Sequence, residues 1–154
     1  MREAKHVSTP VDPAMSDTRG FALLAALTAS EVWATASPDQ ARGFYLAIGR
    51  RLAALEPIEQ VADLSILGDR LNRLWGAFEW GQVRLHMDDD GIIIRHEGLP
   101  HALDGDVEGL WPELISAVLE GAYDSWFRTL GSGDALQTRR IEQGDGTLEL
   151  WHGR

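Results

Sequence analysis

The 154-residue chain contains no cysteine. That excludes disulfides, thiolate metal sites and a cysteine nucleophile, and it leaves the redox compartment open, because a cysteine-free protein is stable in either. Long apolar runs are missing too. The most apolar window, Phe21 to Leu27, is too short and too alanine-rich to span a bilayer. No apolar run follows Arg2, Glu3 and Lys5, so no secretory signal is expected, and the expected location is the cytoplasm. Basic residues are scarce where acidic ones gather: from Asp88 to Asp124, ten acidic residues face Arg95 alone, a segment charge of −9 against −10 for the whole chain. Such a surface repels phosphate backbones and anionic lipid, so nucleic acid is not an expected partner, whereas a neutral polyhydroxyl ligand is not repelled. Most of these acids are read as a solvated face. No internal repeat is visible, and the length suits a single domain with its own core.

The pattern along the chain predicts an α+β domain. Residues Met1 to Ser16, with Pro10 and Pro13 and no periodicity, read as a flexible N-terminal arm, and residues 17–154 as one domain. Asp17 or Thr18 can cap a first helix carrying Phe21, Leu24, Leu27 and Trp33. Ser37 followed by Pro38 starts a second helix, whose expected buried stripe is Ala41, Phe44, Ile48, Leu52 and Leu55. A third is expected from about Ile58 to Trp80, with Leu64, Leu67, Leu71, Leu74 and Phe78 at the spacing of a two-helix seam, within the subunit or between subunits. On the segment Leu110 to Leu130 the apolar residues cover roughly 220° of arc at 100° per residue, about twice the usual core stripe. That helix is expected between the sheet and a second layer, either another helix or another subunit. Val83 to Met87 and Ile92 to Arg95 form one hairpin through Asp88-Asp89-Asp90-Gly91, and Leu136 to Gln143 and Thr147 to His152 a second through Gly144-Asp145-Gly146. Helices packed on one face of a four-stranded antiparallel sheet made of two hairpins result.

Catalytic and metal motifs fare poorly. His96-Glu97 begins like the zinc-protease His-Glu-x-x-His, but Pro100 occupies the second histidine position and forbids the helix that would bring two imidazoles together. A His-Glu pair holding a loop or an interface is the better reading. Asp88-Asp89-Asp90-Gly91 lacks the alternate ligand spacing of a calcium loop, and Gly131-Ser132-Gly133 neither follows a strand nor opens a helix with a basic residue, so a phosphate cradle is not expected there. A glycosidase needs two carboxyls across a gap of roughly 5 to 10 Å, normally in a larger scaffold than this one. No catalytic residue, metal or cofactor is assigned.

Four segments together are specific. Leu71-Asn72, Trp80-Gly81-Gln82-Val83, Ile94-Arg95-His96-Glu97-Gly98-Leu99-Pro100 and Val118-Leu119-Glu120-Gly121-Ala122-Tyr123-Asp124-Ser125-Trp126 follow one another in the order found in the bacterial cellulose synthase operon protein D family, which the chain resembles over about residues 65 to 130. Outside that range the resemblance is one of pattern. It implies a non-catalytic accessory subunit of a cellulose synthase complex near the inner membrane, a ring-like homo-oligomer (an octamer built from dimers), with β-1,4-glucan chains passing inside it close to the N-terminal segments. The other subunits of the complex would be its partners. If the first helical turn sits at those passages, Asp17 can accept from sugar hydroxyls, Arg19 can donate to sugar oxygens and Phe21 can present an apolar face to a ring; equally, Asp17 caps the helix and Phe21 staples it. Subunit-interface candidates are Leu67, Leu71, Leu74, Phe78, Trp111 and Trp126. A second reading is a small-molecule sensing domain of the vinyl-reductase four type, in which the wide stripe of Leu110 to Leu130 lines an effector pocket.

Overall fold

The computed structural model describes residues 13–154, with side chains described from Thr18 onward. Residues 1–12 of the expected arm therefore lie outside the described residues. Helix α1 (Pro13–Thr35) begins ahead of the expected start at Asp17 or Thr18. A proline suits a first helical position, since its fixed φ is already helical and its missing N–H is not needed there. Helix α2 (Pro38–Leu55) is opened by Ser37: the Gln40 amide donates to its Oγ at 3.2 Å, while the Ser37 amide donates to Gln40 Oε1 at 3.0 Å, a reciprocal capping box.

Helix α3 (Leu64–Phe78) is shorter than the pattern predicts. Asp63 explains where it starts: its backbone is extended and its Oδ1 accepts from the Ile66 amide at 2.9 Å, so the cap outweighs the apolar residues upstream. Strands β1 (Gln82–Asp88) and β2 (Gly91–Glu97) follow, then helix α4 (Trp111–Phe127), a π turn over Arg128–Ser132, and strands β3 (Gln137–Gly144) and β4 (Thr147–Gly153). Both expected hairpins form, with Asp88 paired to Gly91 and Gly144 to Thr147 across tight turns. The two hairpins join through β2 and β4, giving one antiparallel sheet in the order β1-β2-β4-β3. The architecture is the expected α+β domain.

Helix α4 is the centre of the molecule. Almost every residue on it is buried, from Trp111 through Leu114, Leu119 and Tyr123 to Phe127, because it lies between the sheet and α2. The second layer that its wide apolar arc demands is thus a helix of the same chain. Contact with α2 is backbone to backbone: a Cβ built on Gly49 would stand 2.0 Å from the Val118 carbonyl oxygen, and one on Gly121 would stand 2.1 Å from that of Leu46. This close crossing corrects the expected face of α2. Its buried residues are Ala41, Tyr45, Gly49 and Ala53, while Phe44, Ile48 and Leu55 are exposed. Gly49 lets the helices approach, Tyr45 and the half-buried Leu52 pack into the core as well, and Phe44, Ile48 and Leu55 are turned outward.

Candidate functional site

The specific sequence segments converge in the core. Asn72 of α3 reaches the first residues of β1, where its Nδ2 donates to the Val83 carbonyl at 3.0 Å and its Oδ1 accepts from the Val83 amide at 2.6 Å. Next to that clamp runs a chain of buried polar groups. Trp75 Nε1 donates to Tyr123 Oη at 2.9 Å, Tyr123 Oη lies 3.0 Å from His96 Nδ1, and His96 Nε2 lies 2.5 Å from the Trp80 carbonyl oxygen. A carbonyl only accepts, so His96 carries its proton on Nε2, and Nδ1 accepts from the tyrosine hydroxyl. Every polar group in the chain then has a partner with the imidazole neutral. Burial pushes the His96 pKa down to about 4, against the lesser opposing pull of the Trp80 carbonyl. Burial likewise raises that of Tyr123 well above the phenol range.

Aromatic rings close around the network. Trp75 packs against His96, Tyr123 and Trp126 with centroids 5.2, 5.9 and 5.6 Å away, and stacks on Trp80 at 6.0 Å. The family-like segments therefore hold α3, the first hairpin and α4 together. Among the described residues no cluster of histidines and carboxylates could hold a metal ion, and no helix is long and apolar enough to cross a membrane.

The acidic stretch also has structural work. Asp106 accepts from the Leu110 and Trp111 amides at the start of α4, at 2.9 and 2.8 Å. Glu120 pairs with Arg42 of α2, and Asp124 binds both Arg128 and the Thr138 amide. Glu97 is 3.6 Å from Arg84 at the sheet surface. The turn Asp88-Asp89-Asp90 remains exposed.

The expected sugar-facing residues lie on α1. The side chain of Asp17 is outside the described residues. Arg19 is exposed and 3.6 Å from Asp104, and Phe21 is 74% exposed. With Leu24 and Leu27, Phe21 makes an apolar face that the other described residues leave exposed, whereas Ala26 and Ala29 face inward and Trp33 stacks on Tyr45 of α2 at 5.1 Å. Of the expected interface residues, Leu67, Leu71, Trp111 and Trp126 are buried inside this chain, and Leu74 and Phe78 are half-buried against the same core. Both tryptophans spend their N–H groups on backbone carbonyls of the chain, Trp111 on Pro100 and Trp126 on Glu56. Among the described residues, exposed apolar rows lie instead on Phe21, Leu24 and Leu27 of α1 and on Phe44, Ile48 and Leu55 of α2. The α2 trio forms an evident stripe in the sequence; only its direction is hidden there.

Comparison with known proteins gives one result that bears on function. The family model described as the D subunit of cellulose synthase matches residues 5–153. No curated protein matches the chain.

Proposed function

The chain belongs to the family of cellulose synthase D subunits, whose model covers nearly all of it, and from that membership we propose that it is a non-catalytic subunit that assembles into a ring and guides nascent β-1,4-glucan chains. Its place is then at the synthase complex on the cytoplasmic side of the inner membrane. The observation that carries assembly is the apolar surface of α1 and α2. Phe21 and Leu55 are 74% and 78% exposed, and Leu24, Leu27, Phe44 and Ile48 are exposed with them. An isolated exposed leucine is ordinary, but apolar rows along two helices are the mark of a surface that a protein partner covers. A closed ring of identical subunits covers each such surface with another copy. Guidance asks for many weak contacts, so that a moving polymer is oriented without being arrested.

Sedimentation equilibrium of the purified chain tests this reading. A particle many times the monomer mass is expected, and Leu24→Glu should reduce it to smaller species with unchanged helix content, because the substitution is at an exposed position. A stable monomer at micromolar concentration removes the ring. In cells, loss of the protein should disorder the cellulose fibres while polymerase activity of isolated membranes stays normal.

A further inference from the structure

A cleft of about 1110 Å³ opens at the end of the sheet that carries the β1–β2 turn, above the roughly 300–1,000 Å³ usual for small-molecule sites. Its apolar walls include Leu64 and Leu67 of α3, Ile92 of β2 and Phe127 at the end of α4; none of its described lining residues belongs to α1. His152 is among its lining residues. This side chain is 1% exposed, its ring stacks on Phe127 at 4.7 Å, and its Nδ1 is 2.8 Å from Thr138 Oγ1. Nε2 is buried and has no hydrogen-bond partner among the described residues. Burial also lowers the His152 pKa, which favours the neutral ring.

A neutral imidazole has one N–H and one lone pair. The Thr138 hydroxyl can serve Nδ1 in either tautomer, which leaves Nε2 as a lone donor or a lone acceptor. A buried polar group left so costs roughly 1–3 kcal/mol. A hydroxyl satisfies it in both cases, because a hydroxyl both donates and accepts. The mouth of the cleft adds acceptors at Asp88, Asp89 and Asp90, and donors at Arg154 and Arg139, whose guanidinium lies 4.5 Å over the Trp151 ring. The acids of the lining outnumber its two arginines, so a phosphate or carboxylate gains no net attraction, and a plain hydrocarbon leaves His152 unmatched. A neutral ligand with apolar faces and hydroxylated edges meets every part of this lining.

We propose that this cleft is a saccharide subsite, in which a short stretch of β-1,4-glucan lies with its apolar ring faces against the leucine and phenylalanine walls and one hydroxyl on His152 Nε2. Equatorial hydroxyls leave both faces of a β-linked glucose ring apolar, which is the shape that a slot with apolar walls and a polar mouth selects. The proposal rests on the glucan-guiding reading and assigns to it a contact separate from Arg19 and Phe21.

Calorimetric titration of the assembled protein with cellohexaose is the test. His152→Leu keeps the volume of the side chain and removes the polar atom; it should weaken binding at least tenfold with oligomer mass and melting temperature retained. The double variant Asp89→Ala, Asp90→Ala alters only the exposed turn and should weaken binding about threefold or more, which keeps the proposal testable should His152→Leu fail to fold. Ile141→Ala, at an exposed position outside the cleft, should bind as the wild type does. Cellohexaose bound equally well by wild type and cleft variants, but lost in Arg19→Ala, overturns the cleft and leaves glucan guidance standing. No binding by the wild type overturns the cleft; fibre order in cells then decides guidance separately. Binding of 1-dodecanol but not cellohexaose, lost in His152→Leu, overturns the saccharide assignment.

Discussion

The buried His96 makes the fold acid-sensitive by an amount the structure sets. Its pKa falls from 6.5 to about 4 on folding, so the folded state prefers the neutral ring, whereas the unfolded chain takes up the proton as soon as the pH drops below 6.5. Stability is therefore full above pH 6.5, is lost as the pH falls from about 6.5 towards 4, and loses no more to this group below that. The gap of about 2.5 units at roughly 1.36 kcal/mol each amounts to ~3.4 kcal/mol in full, and to about 2 kcal/mol between pH 7.5 and 5.0. Geometry gives the same sign. A protonated ring would turn Nδ1 into a donor facing the Tyr123 hydroxyl, which already accepts from Trp75 Nε1. Urea unfolding at pH 7.5 and 5.0, at fixed protein concentration, measures the loss for the wild type and for His96→Gln, which has no proton to gain in that range. Carboxylates contribute equally to both, so the difference between the two losses isolates the histidine. Equal losses within about 0.5 kcal/mol would refute the reasoning.

Two further outcomes follow from packing. Gly49→Ala should destabilise by about 2 kcal/mol in thermal or urea unfolding, despite the better helix propensity of alanine, because its Cβ would stand 2.0 Å from the Val118 carbonyl oxygen. Stability equal to wild type would mean that α2 and α4 separate at no cost. Asn72→Ala should cost about 2–4 kcal/mol by leaving both the amide and the carbonyl of buried Val83 unmatched, and Asn72→Asp should fail to rescue it, since a carboxylate cannot donate to that carbonyl. Full rescue by aspartate would show that only the Val83 amide matters.

Local signals are legible in the sequence wherever one residue type has one physical use. Ser37-Pro38 marks the start of α2, the two hairpins pair across their turns as their alternation implies, and the wide arc of α4 requires two covering layers, which the sheet and α2 supply. The sequence misleads where size stands in for burial. Phe44, Ile48 and Leu55 look like parts of the core stripe with Ala41, yet Gly49 and Ala53 are inside in their place because the α2–α4 crossing needs small residues. Such a contact depends on a helix more than fifty residues away, and no local pattern reports it. The start of α3 is obscured for a local reason, the Asp63 cap hidden within a continuing apolar pattern. In the functional region, His96 reads as holding a loop or an interface, and it holds the core; His152, whose environment depends on Thr138 and Phe127, carries no signal of its own.

The strand order β1-β2-β4-β3 puts β4, the last of these four strands to be synthesised, in the middle of the sheet. While the chain grows, the first hairpin can close locally, but β2 keeps an open edge, with Ile92, Ile93 and Ile94 side by side, until Thr147–Gly153 emerges to pair with it. An unpaired strand of that composition is a template for pairing with other nascent chains. Arg95, next to that run and later matched to Glu149 on β4 at 2.8 Å, places a charge on the strand during the wait and then finds its counter-ion on the correct partner. The same residue thus discourages the wrong neighbour before the fold closes and rewards the right one afterwards.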